Sequence, residues 1–118
     1  PIKVAVINSS SLGMVRQWQP LFYNSRYSST DLNTGHDTVH IPDFVKLGEA
    51  YGCLSIRVER EDEIDVAIQL ALATNDRPVV IDFVVSPASM VWPMVPQGVS
   101  NNYIQYAKEH SPSFDEEV

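Results

Sequence analysis

Two nearly uninterrupted apolar runs rich in β-branched residues, 2–7 and 79–85, most constrain how this chain can fold. Only Asp82 interrupts the second. Runs of this kind suit strands buried on both faces, as in a parallel sheet covered by helices on each side. Residues 61–74 read as the clearest helix: Ile64, Ala67, Ile68, Ala71 and Leu72 share one face. Acids crowd its first turn, where the helix dipole favours negative charge. Asn75-Asp76-Arg77-Pro78 ends it. Residues 53–58 alternate Leu54, Ile56 and Val58, a strand with one less buried face. Strands separated by helices require right-handed crossovers, so the sequence predicts an α/β fold, a three-layer parallel sheet flanked by helices.

The run 2–7 passes directly into Asn8-Ser9-Ser10-Ser11 and then a helical pattern from about Ser11, with Met14, Val15, Trp18, Leu21 and Phe22 on one apolar stripe. Pro20 is predicted to kink or end that helix near Gln19, because it lacks an amide hydrogen. In open α/β folds a strand-to-helix junction binds anions: the helix offers unpaired N–H groups and the positive end of its dipole. Asn and Ser also supply hard oxygen donors for a cation beside a phosphate. The plainer alternative is that residues 8–11 only cap the helix. No glycine-rich phosphate loop pattern is present to decide between the two.

Residues 24–40 show no period and read as a long loop. Pro42 suits a first helical position with Asp43 beside it, and Phe44, Val45, Leu47 and Ala50 lead to a stop at Gly52. Gly48 inside this helix costs about 1 kcal/mol relative to Ala, which close packing against the sheet could offset. After Ser86 the chain turns apolar and proline-rich through Met90, Val91, Trp92, Pro93, Met94, Val95 and Pro96, and must lie on something: a sheet edge, another domain or a pocket. A last helix is expected from about Asn101 to Glu109, followed by a surface segment ending in Asp115-Glu116-Glu117.

A chain of 118 residues suffices for one small domain that buries roughly 65% of its unfolded surface. Its 15 acidic against 8 basic residues, net −7, argue against nucleic acid or an anionic membrane as partner, since both need clustered Lys and Arg. The single cysteine, Cys53, permits no internal disulfide and suits a reducing cytoplasm. No apolar run reaches the length of a membrane span. His36 and His40 lie four apart in the loop, without the helix a zinc pair at that spacing would use, and are assigned to the surface. The serines cluster in turns and caps, which gives no Ser-His-Asp arrangement.

The string Leu12-Gly13-Met14-Val15-Arg16-Gln17-Trp18-Gln19, followed by Phe22-Tyr23 and Arg26-Tyr27-Ser28, closely resembles the catalytic subunit of the acetohydroxyacid (acetolactate) synthases. The resemblance continues through residues 41–47, Ala50-Tyr51-Gly52-Cys53, residues 77–83 and Val91-Trp92-Pro93-Met94-Val95-Pro96, and so covers nearly the whole chain. It implies residues 1–118 as the C-terminal portion of the thiamine-diphosphate-binding domain, with a tail from about 86 to 118 that folds over the active-site entrance. Opening at Pro1 in what should be mid-fold, the chain is expected to be an excerpt and inactive alone. No catalytic residue is expected within it. The family's activating Glu, its FAD-binding domain and the Gly-Asp-Gly opening of the thiamine motif have no counterpart in these residues.

Site roles implied by the resemblance begin at Asn8 and Ser9, where the thiamine motif closes on an Asn pair. The cofactor set is Asn8, Ser9, Ser11, Leu12, Gly13 and Met14, with magnesium held by the Ser9 side chain and the Ser11 carbonyl. Ser9 departs from the expected Asn, and its hydroxyl is shorter than a carboxamide. Met14, Val15, Trp18 and Gln97 correspond to a substrate channel, with Trp18 favouring 2-ketobutyrate over pyruvate as second substrate. The implied reaction decarboxylates pyruvate and joins the remainder to a second 2-ketoacid, for branched-chain amino-acid synthesis. Thiamine diphosphate, magnesium and FAD are the implied cofactors; a homodimer or homotetramer with a regulatory small subunit is the implied assembly. From residue type alone, helix packing is the favoured reading of Gly13 and Met14, and a core position that of Trp18. Another thiamine-diphosphate carboligase or decarboxylase, or a non-catalytic α/β module, are the alternatives.

Overall fold

The computed structural model describes residues 1–30, 32 and 41–104. Three parallel strands, β1 (Lys3–Asn8), β2 (Leu54–Val58) and β3 (Val79–Val84), form a sheet in the order β1-β3-β2. Val79 pairs in register with Lys3 on one side and Leu54 on the other, so β3 is central, as its apolar run predicts. The helices are α1 (Gly13–Phe22), α2 (Phe44–Ala50) and α3 (Ile64–Ala73). The crossover from β2 through α3 to β3 joins neighbouring parallel strands, and this is the α/β arrangement predicted.

Strand alternation divides the two faces. Val58, Val79 and Ile81 gather with Ala67 and Ala71 of α3 into the core, flanked by Leu54, Ile56, Ile64 and Phe83. On the opposite face Ser55 and Val80 pack against α2, and Arg57 joins Asp82 to Asp43 at the start of that helix, so the sheet lies between two helical layers. Gly48 marks the closest approach: a Cβ there would collide with Ser55 Oγ and come within 3.2 Å of Val80 Cγ2. The glycine is thus required by packing, as its unfavourable helical position suggested.

Several local expectations shift. Asp43 is the N-cap of α2, and Oδ1 accepts from the amides of Val45 and Lys46. Pro42 therefore precedes the helix instead of opening it, because a carboxylate one position earlier reaches both free amides. Gly52, at φ 77°, terminates the segment as predicted. The first turn of the 61–74 helix is a 3-10 turn, Glu61–Glu63, before α3 proper. On α3, Ala67 and Ala71 are buried while Ile68 and Leu72 are 41% and 65% exposed. Alanines four apart let the backbone settle on the sheet, which pushes the bulkier neighbours to the flanks. Pro20 does not end α1 at Gln19; the helix continues to Phe22, since a proline so near the C-terminus removes only a late hydrogen bond.

Residues 101–104 form turn and irregular chain, not a helix start, and the remainder of that predicted helix lies outside the described residues. His36, His40 and the acidic end also lie outside them.

Candidate functional site

At its C-terminal end β1 passes into a tight turn held by its own side chains. Asn8 Oδ1 accepts from the Ser10 amide at 3.1 Å, and Ser10 takes a left-handed backbone with φ 58°. Ser9 Oγ then turns inward, 3.3 Å from the Ser11 carbonyl oxygen and 3.4 Å from Ser11 Oγ. None of these side chains caps α1: its N-cap is Leu12, which makes no side-chain capping bond. The plainer reading of residues 8–11 as helix caps is therefore replaced by a turn that leaves the first turn of α1 open. Leu12 is anchored by its amide to the Thr30 carbonyl at 2.9 Å. Among the described residues a Cβ at Gly13 would meet only Ser9 Oγ, at 3.6 Å, so their packing does not demand a glycine there.

Two small concavities flank this turn. One, about 170 Å³, is lined by residues 6–11 together with Leu32, Ile41, Pro42 and Phe44. The other, about 270 Å³, places Asn8 and Ser10 opposite Asp43, Arg57 and Glu59. Arg57 bridges two carboxylates there, Asp43 at 2.8 Å and the fully buried Asp82 at 3.2 Å. The Lys46 backbone amide, with Arg57 beside it, holds the Asp43 carboxyl below its usual range, and the Asp82 hydrogen bond raises Arg57. Arg57 thus locks the start of α2 to the central strand.

A third cavity, about 630 Å³, opens along α1. Met14, Trp18, Phe22 and Tyr23 form one wall, and Met94, Val95, Pro96 and Gln97 the other. Three of the four residues assigned to a substrate channel, Met14, Trp18 and Gln97, meet here. Val15 does not line the cavity and sits 43% exposed on the adjoining flank. The predicted apolar stripe of α1 is therefore no core face: Trp18 and Phe22 are 44% and 50% exposed, whereas Gln17 and Pro20 are buried. At 3.6 residues per turn the buried side is rotated by roughly a third of a turn from the stripe.

Gln17 is the residue that sequence reasoning passed over. Its amide donates to the Val91 carbonyl at 2.8 Å and accepts from the Val91 amide at 2.7 Å. On the opposite flank Gln19 ties back residue 28, Thr30 Oγ1 donates to it, and Arg16 stacks on Tyr27 at 4.8 Å. Gln17 belongs to the string that carries the family resemblance, but its local signal is only that of a polar residue beside a helix's apolar stripe. Phe22 and Tyr23 were quoted for resemblance and packing, not as cavity wall.

An exposed helix start beside a strand's C-terminal end, with oxygens gathered at Ser9 and Ser11, is the kind of junction at which α/β folds bind anions. The chain belongs to the thiamine pyrophosphate enzymes: the family described as thiamine pyrophosphate enzyme, C-terminal TPP binding domain, matches residues 1–83. Among curated relatives, an acetolactate synthase of Mycobacterium avium is 57% identical over 118 residues, all of this chain and 19% of that protein. The acetolactate synthase large subunit of Corynebacterium glutamicum is 55% identical over 115 residues, 98% of this chain and 18% of that subunit. The isozyme 2 large subunit of Escherichia coli is 36% identical over 102 residues, 86% of this chain and 17% of its own length. The chain thus spans about a fifth of the length of the relatives it matches.

The residues present fit a diphosphate with its metal. Adjacent oxygens in an octahedral magnesium shell lie about 2.9 Å apart, given bonds of about 2.0–2.1 Å. Ser9 Oγ and the Ser11 carbonyl, at 3.3 Å, are close to that spacing. Among the described residues no group of three or more His, Cys, Asp or Glu could hold a metal ion. No described helix is long and apolar enough to cross a membrane.

Proposed function

We propose that residues 1–118 form the C-terminal portion of the thiamine-diphosphate-binding domain of an acetolactate synthase catalytic subunit, with residues 86–118 as its tail. The observation that carries this reading is the cavity in which Met14 and Trp18 of α1 face Gln97 of the tail, with Met14 only a few residues beyond the Ser9–Ser11 turn. In this reading the cofactor end and the substrate end of one site share a single helix.

Bound thiamine diphosphate supplies the electron sink for decarboxylating a 2-ketoacid. The chain's part is to bind, orient and dry the site. The open first turn of α1, at Gly13 and Met14, offers amides and a positive dipole end to the diphosphate. Ser9 Oγ and the Ser11 carbonyl hold magnesium, and Asn8 keeps their turn in shape through Ser10. Leu12, fixed to Thr30, sets where α1 begins. The apolar wall of Met14, Trp18, Phe22 and Met94 keeps water from the carbon–carbon bond-forming step. Pyruvate and 2-ketobutyrate differ by one methylene, worth about 1–3 kcal/mol in an apolar pocket, and Trp18 is the wall that reads it. FAD, a homo-oligomer, a regulatory subunit and a cytoplasmic location complete the reading and follow from the family resemblance of the sequence.

The test is acetolactate formation from pyruvate by the full-length protein, titrated with magnesium and thiamine diphosphate, for the native chain and Ser9→Asn. Restoring the carboxamide is expected to lower the magnesium half-saturation by about 10-fold without altering the fold. An unchanged half-saturation removes Ser9 from the metal. No acetolactate from either protein overturns the assignment in favour of a non-catalytic module.

A further inference from the structure

The wall opposite α1 is not built from a regular element. Residues 86–104 carry no helix or sheet strand, yet Met94, Val95, Pro96 and Gln97 stand as one side of the 630 Å³ cavity. Something must hold this segment along α1, because irregular chain loses backbone entropy whenever it is fixed. Apart from an isolated bridge residue at Met94, the contact that does so is Gln17. Its carboxamide both donates to and accepts from the backbone of one residue, Val91, at 2.8 and 2.7 Å, and Nε2 also lies 3.8 Å from Met94 Sδ. Paired bonds to one residue fix the direction of the segment as well as its distance. Gln17 is 2% exposed, so its carboxamide, once parted from Val91, is left buried without these two bonds.

We propose that Gln17 is a positioning residue for the second 2-ketoacid: it latches Val91 to α1, and the latch keeps Met94, Val95, Pro96 and Gln97 in place as the far wall of the cavity. The inference rests on the reading of that cavity as the second-substrate site. Gln17 itself does not line the cavity. It acts through the tail, while its neighbour Trp18 forms the near wall. Two consecutive residues of α1 thus serve opposite walls of one cavity.

The latch can be opened from either end. In the full-length holoenzyme, Gln17→Met keeps the volume and removes both bonds; Val91→Pro removes the tail's donor at a side chain that is 62% exposed, without touching α1. Each is expected to speed hydrogen exchange across residues 89–95 by about 10-fold or more and to raise KM for 2-ketobutyrate by a similar factor, with kcat little changed. The double variant should be no worse than the single ones, since both break the same contact. Unaltered exchange in Gln17→Met or additive effects overturn the latch, and an unchanged KM with faster exchange overturns its role in positioning the second 2-ketoacid. If Gln17→Met does not fold, Val91→Pro decides alone by the same readings. Absence of acetolactate synthesis by the native protein overturns the function reading, while exchange still reports whether the latch exists.

Discussion

Val58, Val79 and Ile81 on the sheet and Met14, Trp18 and Phe22 on α1 are apolar residues at regular spacing, but the first three are at most 4% exposed and the second three at least 42%. In the sheet the pattern ends in a packed core against Ala67 and Ala71. On α1 the same kind of pattern is turned toward a cavity, and the helix buries Gln17 and Pro20 in its place. Spacing reports which side chains share a face. What that face meets depends on segments far away in the chain, here a tail more than 70 residues on.

This contrast can be broken at either region. The largest stability effect is expected in the core: Ile81→Ala in the full-length protein should cost about 3 kcal/mol, read from denaturant or thermal unfolding, by removing buried contacts and leaving a cavity. A cost below about 1 kcal/mol would mean that the sheet core is not close-packed. Gly48→Val comes next. With Ser55 and Val80 already against the glycine, overpacking is expected to cost about 1–3 kcal/mol and to separate α2 from the sheet. A neutral result would show that α2 can shift without cost, and that the Asp43–Arg57–Asp82 lock does not hold it.

The fold was legible where local chemistry decides it. β-branched runs marked β1 and β3, alternation marked β2, and the awkward Gly48 pointed to close packing that the structure contains. The start of α2 was misjudged by two residues because Pro42 and Asp43 both suit a helix start, and only the bonds to Val45 and Lys46 select Asp43 as the cap. Two of the apolar residues assigned to the core face of α3 proved exposed, since periodicity does not show that small alanines come closest to a sheet. At the site, the resemblance pointed to Met14, Trp18 and Gln97, which do meet, and to Val15, which does not line the cavity. Gln17 was illegible for a physical reason: its partner Val91 lies 74 residues away in a segment with no regular structure, and nothing local to α1 marks the contact.

The central claim is that α1 presents its apolar stripe to substrate and not to a core, and Trp18→Leu in the full-length enzyme tests it most directly. Product analysis with pyruvate and 2-ketobutyrate in competition, beside a thermal unfolding curve, gives both readings from one protein. The account predicts a preference for 2-ketobutyrate lowered by about 10-fold and stability changed by less than about 1 kcal/mol, because the indole is 44% exposed. A loss of several kcal/mol with an unaltered product ratio would contradict it, since that is how a core tryptophan behaves.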